Sequence, residues 1–418
     1  MKLFCIVAVA AALFTTAVQA DLSQLAAVLP PCALKCIVSS IPKSVCAPTN
    51  QTCICTDPQL NNEIALCVAS SCTIRESLTT KNVTSTACGA PVRDRTKVVS
   101  GAGVAGGVLA FLAFVLRMVA RLPYYGGKFG LDDWVMVLTM MLVIPLTVLS
   151  AVLADLGLGL DMWRVPFDNI TRILYIYYFD ESIYLSILPL TKISICFFYL
   201  RIFPKKSFRI ATYVVIGFNL AYLIVWVLIS VFQCHPLNAA WLRWDGEYPG
   251  PYHCNNINAQ AWAGAVVNMI LDLVTMCLPL YELSHLNLSM RKKISVMFMF
   301  SLGIFVTVVS IIRLHSILEY GDTQNVTWDY VAIGYWSTIE VDVGVICACL
   351  PAMRSLFLHL FPGVFGTTVQ GSTAATLSRS NPTASRLDKI SQKPKEDTSD
   401  FVPLVDMDNS SQANLTGR

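Results

Sequence analysis

The sequence predicts an all-α protein in two parts, a small disulfide-rich domain followed by a seven-helix transmembrane bundle. Eight cysteines, Cys32, Cys36, Cys46, Cys53, Cys55, Cys67, Cys72 and Cys88, crowd a segment too short for a large core. Such staples persist in oxidising compartments. About 240 mostly apolar residues follow, in runs of the roughly 20 residues that cross ~30 Å of hydrocarbon. The composition agrees, with 55% hydrophobic residues, 14% charged residues and a mean hydropathy of +0.58.

At the N-terminus, Met1-Lys2 leads into the apolar run Leu3 to Val18, and Val18-Gln19-Ala20 supplies short side chains at the cleavage positions. Residues 1–20 therefore read as a signal peptide. The cysteine-rich domain occupies 21–95, the bundle 96–360 and a polar, disordered cytosolic tail 361–418.

The seven spans run near Val98–Val119, Trp134–Ala154, Ile173–Leu200, Ile210–Phe232, Ala259–Tyr281, Ile294–Leu318 and Val331–Met353. With the head outside, Arg117, Arg121, Lys128, Arg201, Lys205, Lys206, Arg209, Arg291, Lys292, Lys293 and Arg354 fall on the cytosolic side. Only Arg164, Arg172 and Arg243 fall in the external loops after the first span. This asymmetry places the protein in the cell membrane as a multi-pass chain, N-terminus extracellular and C-terminus cytosolic. Arg93, Arg95 and Lys97, just before the first span, are exceptions. Cys234 and Cys254 share one external loop and read as a disulfide. Asn50, Asn82, Asn169 and Asn325 open glycosylation sequons on the external side, whereas the sequons at Asn287, Asn409 and Asn414 fall on the cytosolic side.

Ionisable residues inside a membrane each need a partner or a role. Lys192, Asn268, Asp272, Arg313, Glu340 and Asp342 are the candidates for one intramembrane polar network. Asp132 and Asp133 open the second span, where acids suit the helix dipole or serve signalling. The seventh span holds no lysine for a retinal Schiff base, which argues against light sensing through retinal. The five histidines lack metal spacing, and no nucleophile motif or phosphate loop stands out. No enzyme, no catalytic residue and no metal site are predicted. A net charge of +3 without a basic, aromatic-rich stripe gives no reason to expect nucleic acid as a partner.

The order Pro31-Cys32-Ala33-Leu34-Lys35-Cys36, Cys46, Cys53-Ile54-Cys55-Thr56-Asp57, Cys67, Cys72, Cys88 resembles the CFEM domain of fungal extracellular membrane proteins. Eight cysteines alone allow 105 pairings. The resemblance implies Cys32–Cys72, Cys36–Cys67, Cys46–Cys53 and Cys55–Cys88. Some members bind haem through an aspartate three residues before the fourth cysteine. Asn50 stands at that position here. A neutral amide is a poor ligand for ferric iron. No cofactor is predicted, and haem is the one that the resemblance leaves open.

Asp132-Asp133-Trp134, Lys192-Ile193-Ser194-Ile195 with Phe198-Tyr199-Leu200-Arg201, Asn268 with Asp272, Arg313, Trp336, Glu340 and Leu350-Pro351 resemble the fungal "rhodopsin domain" family. The family includes appressorium-type, surface-sensing, receptor-like proteins, many with a CFEM head. The resemblance implies a cell-surface receptor for an unknown extracellular or host-surface ligand, with a heterotrimeric G protein or another cytosolic partner by analogy. The alternatives are a haem- or iron-handling or transport-associated membrane protein, or a membrane protein of a secondary-metabolite pathway.

Overall fold

The computed structural model describes residues 28–125, 127–284, 290–320 and 323–360. The expected signal peptide, the tail from 361, and the sequons at Asn287, Asn409 and Asn414 lie outside the described residues.

The head is helical because its turns are capped and its cysteines are spaced to join helices. Its helices are α1 (Pro31–Ser40), α2 (Gln51–Thr56), α3 (Pro58–Ser71) and α4 (Ile74–Ala87). Asn50 caps α2, its side chain accepting from the Cys53 amide at 3.1 Å. Asp57 caps α3 ahead of Pro58, accepting from Gln59 N at 3.0 Å. Thr73 and Glu76 form a reciprocal capping box on α4, with 3.3 and 2.9 Å bonds. Among the described residues of the head, the buried apolar cluster is Ala33, Cys36 and Val68, far too little to hold four helices. Disulfides Cys32–Cys72, Cys36–Cys67, Cys46–Cys53 and Cys55–Cys88 supply the rest.

Seven long helices follow: α5 (Thr96–Ala120), α6 (Leu131–Leu156), α7 (Phe167–Ile202), α8 (Lys206–Val231), α10 (Ile257–Ser284), α11 (Met290–Tyr320) and α12 (Val326–Leu360). Among the described residues six of them are long and apolar enough to cross a membrane, all except α11. α11 packs between α10 and α12, which completes the bundle. Side chains such as Leu109, Phe111, Leu112, Phe218, Ile224 and Leu228 are exposed on the outer surface, where a bilayer would cover them.

α7 is the central helix. In α7 72% of the apolar window is buried, against 22% for α5. It runs unbroken through Pro189 for 36 residues, so the charges Asp180, Glu181 and Lys192 lie within one continuous span. On the head side, the loop between α8 and α10 carries the short helix α9 (Ala239–Leu242) and a two-stranded ribbon, β1 (Cys234–His235) with β2 (His253–Cys254). The Cys234–Cys254 disulfide closes that ribbon, and Trp241 packs edge-on against Tyr175 and Tyr178 of α7.

Candidate functional site

Three polar assemblies stand along the bundle. The first joins the head to it. Arg75 of α4 reaches Asp245 through Nη2 at 2.8 Å and Nε at 3.1 Å, between the rings of Phe167 and Trp244. These charge-assisted bonds with Asp245 hold the Arg75 guanidinium above its usual pKa. Arg93 forks onto Asp161, Nε–Oδ2 at 3.2 Å, and stacks on Trp328, as does Arg95. This explains the charges that defied the loop asymmetry: Arg93 and Arg95 bind the linker to the bundle mouth. Leu78 of α4 packs on the apolar cluster of Leu153, Leu158, Met162 and Ile170.

The second assembly lies midway along the helices. Glu340 of α12 is its hub. Oε2 accepts from the Tyr184 hydroxyl at 2.5 Å and pairs with Arg313 Nε at 3.1 Å. Oε1 accepts from Ser310 at 2.5 Å and from Asn268 Nδ2 at 3.0 Å. Asn268 Oδ1 in turn accepts from Lys192 Nζ at 2.6 Å, and Lys192 pairs with Asp272 at 3.0 Å. The network therefore ties α7, α10, α11 and α12 together. Glu340 is only 1% exposed, so full pairing is what makes its burial affordable.

Five of the six predicted network residues meet here, and the sixth does not. Asp342 faces α5 instead, with Oδ2 at 2.1 Å from where a Cβ on Gly106 would lie. Two residues along a helix is about 200° around its axis, so Glu340 and Asp342 cannot share a face. Tyr184 and Ser310 were missed because neutral hydroxyls in apolar helices give no charge signal.

The third assembly lies at the far end. Arg117 of α5 binds Asp133 through Nε at 2.9 Å and Asp132 through Nη2 at 2.8 Å, and donates Nη1 to the Ala348 carbonyl of α12 at 2.6 Å. Arg121 joins the same pair of carboxylates at 3.0 and 3.3 Å. Arg201 of α7 approaches Asp132 at 3.6 Å and donates to the Lys128 carbonyl. Asp132 and Asp133 are thus buried ion-pair partners, and Asp133 also accepts from the Gly130 amide at 3.1 Å. The sequence signal was present, since Arg117 and Arg121, the C-cap residue of α5, are one turn apart.

Among the sequons, Asn50 is exposed and Asn82 is half-buried on α4. Asn325 Nδ2, the atom a glycan would take, donates to buried Asp161 at 2.9 Å. Asn169 Nδ2 likewise donates to the Leu156 carbonyl, at 3.2 Å. At the haem-ligand position the Asn50 oxygen is committed to capping α2 and carries no charge, so the residue present does not fit an axial iron ligand.

The fungal rhodopsin domain matches residues 116–359, more than half of the chain and nearly all of the bundle. The chain belongs to the fungal rhodopsin domain family. The CFEM domain matches residues 25–89, the stapled head that this family member carries. Among curated relatives, a SAT4 family membrane protein of Emericella nidulans is 32% identical over 44% of this chain and 45% of its own. Receptor GIN3 of Arthrobotrys oligospora is 24% identical over 66% of each. Fugralins biosynthesis cluster protein 2 of Gibberella zeae is 25% identical over 48% of this chain and 50% of its own. The chain thus spans about half the length of the SAT4 family and fugralins cluster relatives and about two thirds of Receptor GIN3. No solved structure matches. The chain is a multi-pass membrane protein of this family.

Proposed function

We propose that this protein is a cell-surface receptor, with the head extracellular and the chain after α12 in the cytosol. The head meets a cue, the bundle changes packing, and the far end reports it to a cytosolic partner, a heterotrimeric G protein among the candidates. No catalytic role and no haem are part of this reading.

One observation carries it: the same helices that hold the head also hold both buried ion-pair assemblies. Head-derived Arg93 pairs with Asp161 between α6 and α7, Glu340 joins α7 to α12 at mid-depth, and Arg117 joins α5, α6 and α12 at the far end. Buried ion pairs are poor general stabilisers but strict specifiers of which helix faces meet. Such contacts have discrete arrangements, which is what a two-state relay requires. The relative named as a receptor supports the same reading.

A second reading, a membrane protein attached to a secondary-metabolite pathway, is favoured by relatives named for biosynthesis clusters. Complementing a deletion strain with the wild type and with Glu340→Gln, at matched surface amounts, separates the two. A receptor predicts that the variant loses a surface-cue response and its second-messenger pulse. A changed metabolite profile with an intact response would overturn it.

A further inference from the structure

A cleft of about 330 Å³ opens where the head meets the bundle, and its charges are unbalanced. Lys81, Ser85 and Pro91 line it from the head and linker, and Trp163 and Arg164 from the loop after α6. Its one carboxylate, Asp161, is already satisfied by Arg93 and Asn325. Lys81 and Arg164 have no carboxylate partner among the described residues. The Lys81 ammonium rests 5.7 Å from the Trp163 ring centre. Arg164 lines the cleft as a half-buried side chain, and its inner nitrogen Nε, shielded from solvent, has no acceptor among the described residues. A half-buried guanidinium without a carboxylate partner leaves its charge uncompensated, and an anion in the cleft would compensate it.

We infer that this cleft binds a small organic anion, a carboxylate with an apolar or aromatic body. Lys81 and Arg164 take the carboxylate, and Trp163 and Pro91 cover the body. The volume sits at the lower end of pockets that hold small organic ligands. Because the walls come from both head and bundle, such a ligand would fasten one to the other. The inference rests on the receptor reading only for its consequence, not for binding itself.

The test uses the full chain in nanodiscs of zwitterionic lipid, titrated calorimetrically with phenylacetate, indole-3-acetate and octanoate, each against its alcohol. Inorganic phosphate is the bare-anion arm. At about pH 7, where a carboxylate is ionised, at least one acid binds saturably, and its alcohol binds about tenfold more weakly or worse. Lys81→Gln and Arg164→Gln each weaken the acid about tenfold, and Arg164→Lys recovers part of the loss. Unchanged melting temperatures show that the variants fold. No acid binding up to about 1 mM, binding indifferent to both substitutions, or phosphate binding as tightly as every acid would each overturn the inference. Binding without any cellular response overturns the receptor reading alone.

Discussion

Arg117 donates to the backbone carbonyl of Ala348 at 2.6 Å, across 231 residues of sequence. The contact falls next to Cys347, whose carbonyl loses its helical donor because Pro351, inside the continuous helix α12, has no N–H. A guanidinium already anchored on Asp132 and Asp133 thereby fixes this end of α12 to α5 and α6.

Replacing Arg117 with Gln leaves two buried carboxylates facing only Arg121 and Arg201. The expected loss is about 3–5 kcal/mol of stability. Arg117→Lys recovers part of the charge but not the forked geometry. Thermal unfolding in nanodiscs reads both, and wild-type melting of Arg117→Gln would contradict the cluster.

Glu340→Gln removes the charge that Arg313 and, through Asn268, Lys192 depend on. It should cost about 3–5 kcal/mol alone. Pairing it with Arg313→Met should recover roughly 0.5–3 kcal/mol of coupling in a double-mutant cycle. Additive effects would mean that the two side chains do not share a site.

The head should loosen when Arg75 becomes Ala. Arg75 is 44% exposed, so the Asp245 pair is worth at most about 1 kcal/mol, with the ring contacts adding about 0.5–1 kcal/mol. Faster amide exchange confined to α4 and residues 244–247 is the expected signature, and it should grow with salt in the wild type.

Reducing or removing the Cys234–Cys254 pair opens a loop of 20 residues. The chain-entropy argument gives about 3 kcal/mol. Cys234→Ser/Cys254→Ser should therefore melt early. Fluorescence should also show Trp241 leaving Tyr175 and Tyr178.

Asp94 predicts a pH effect at the entry to α5. It accepts from the Thr96 amide and hydroxyl, first the amide, and these bonds hold its carboxyl below the ordinary 3.8. A depressed carboxylate stabilises the fold above the unfolded value, and that contribution fades as pH falls through the lower folded value. Amide exchange at Thr96 should rise only in acid below pH 3.8, and Asp94→Asn should abolish the dependence.

The head's cysteine pattern, the apolar spans and the basic bias of one set of loops are legible in the sequence because each is a local signal. Apolar length forces a span, and clustered cysteines betray a core too small to hold itself. Partnership is not local. Asp132 and Asp133 are read as caps or signalling acids until helix packing brings Arg117 and Arg201 to them. Glu340 and Asp342 look alike as letters, yet the helical turn sends one to Arg313 and the other to Gly106. Tyr184, Ser310 and the cleft beside Arg164 exist only where separate helices and the head meet, and so the tertiary structure alone decided them.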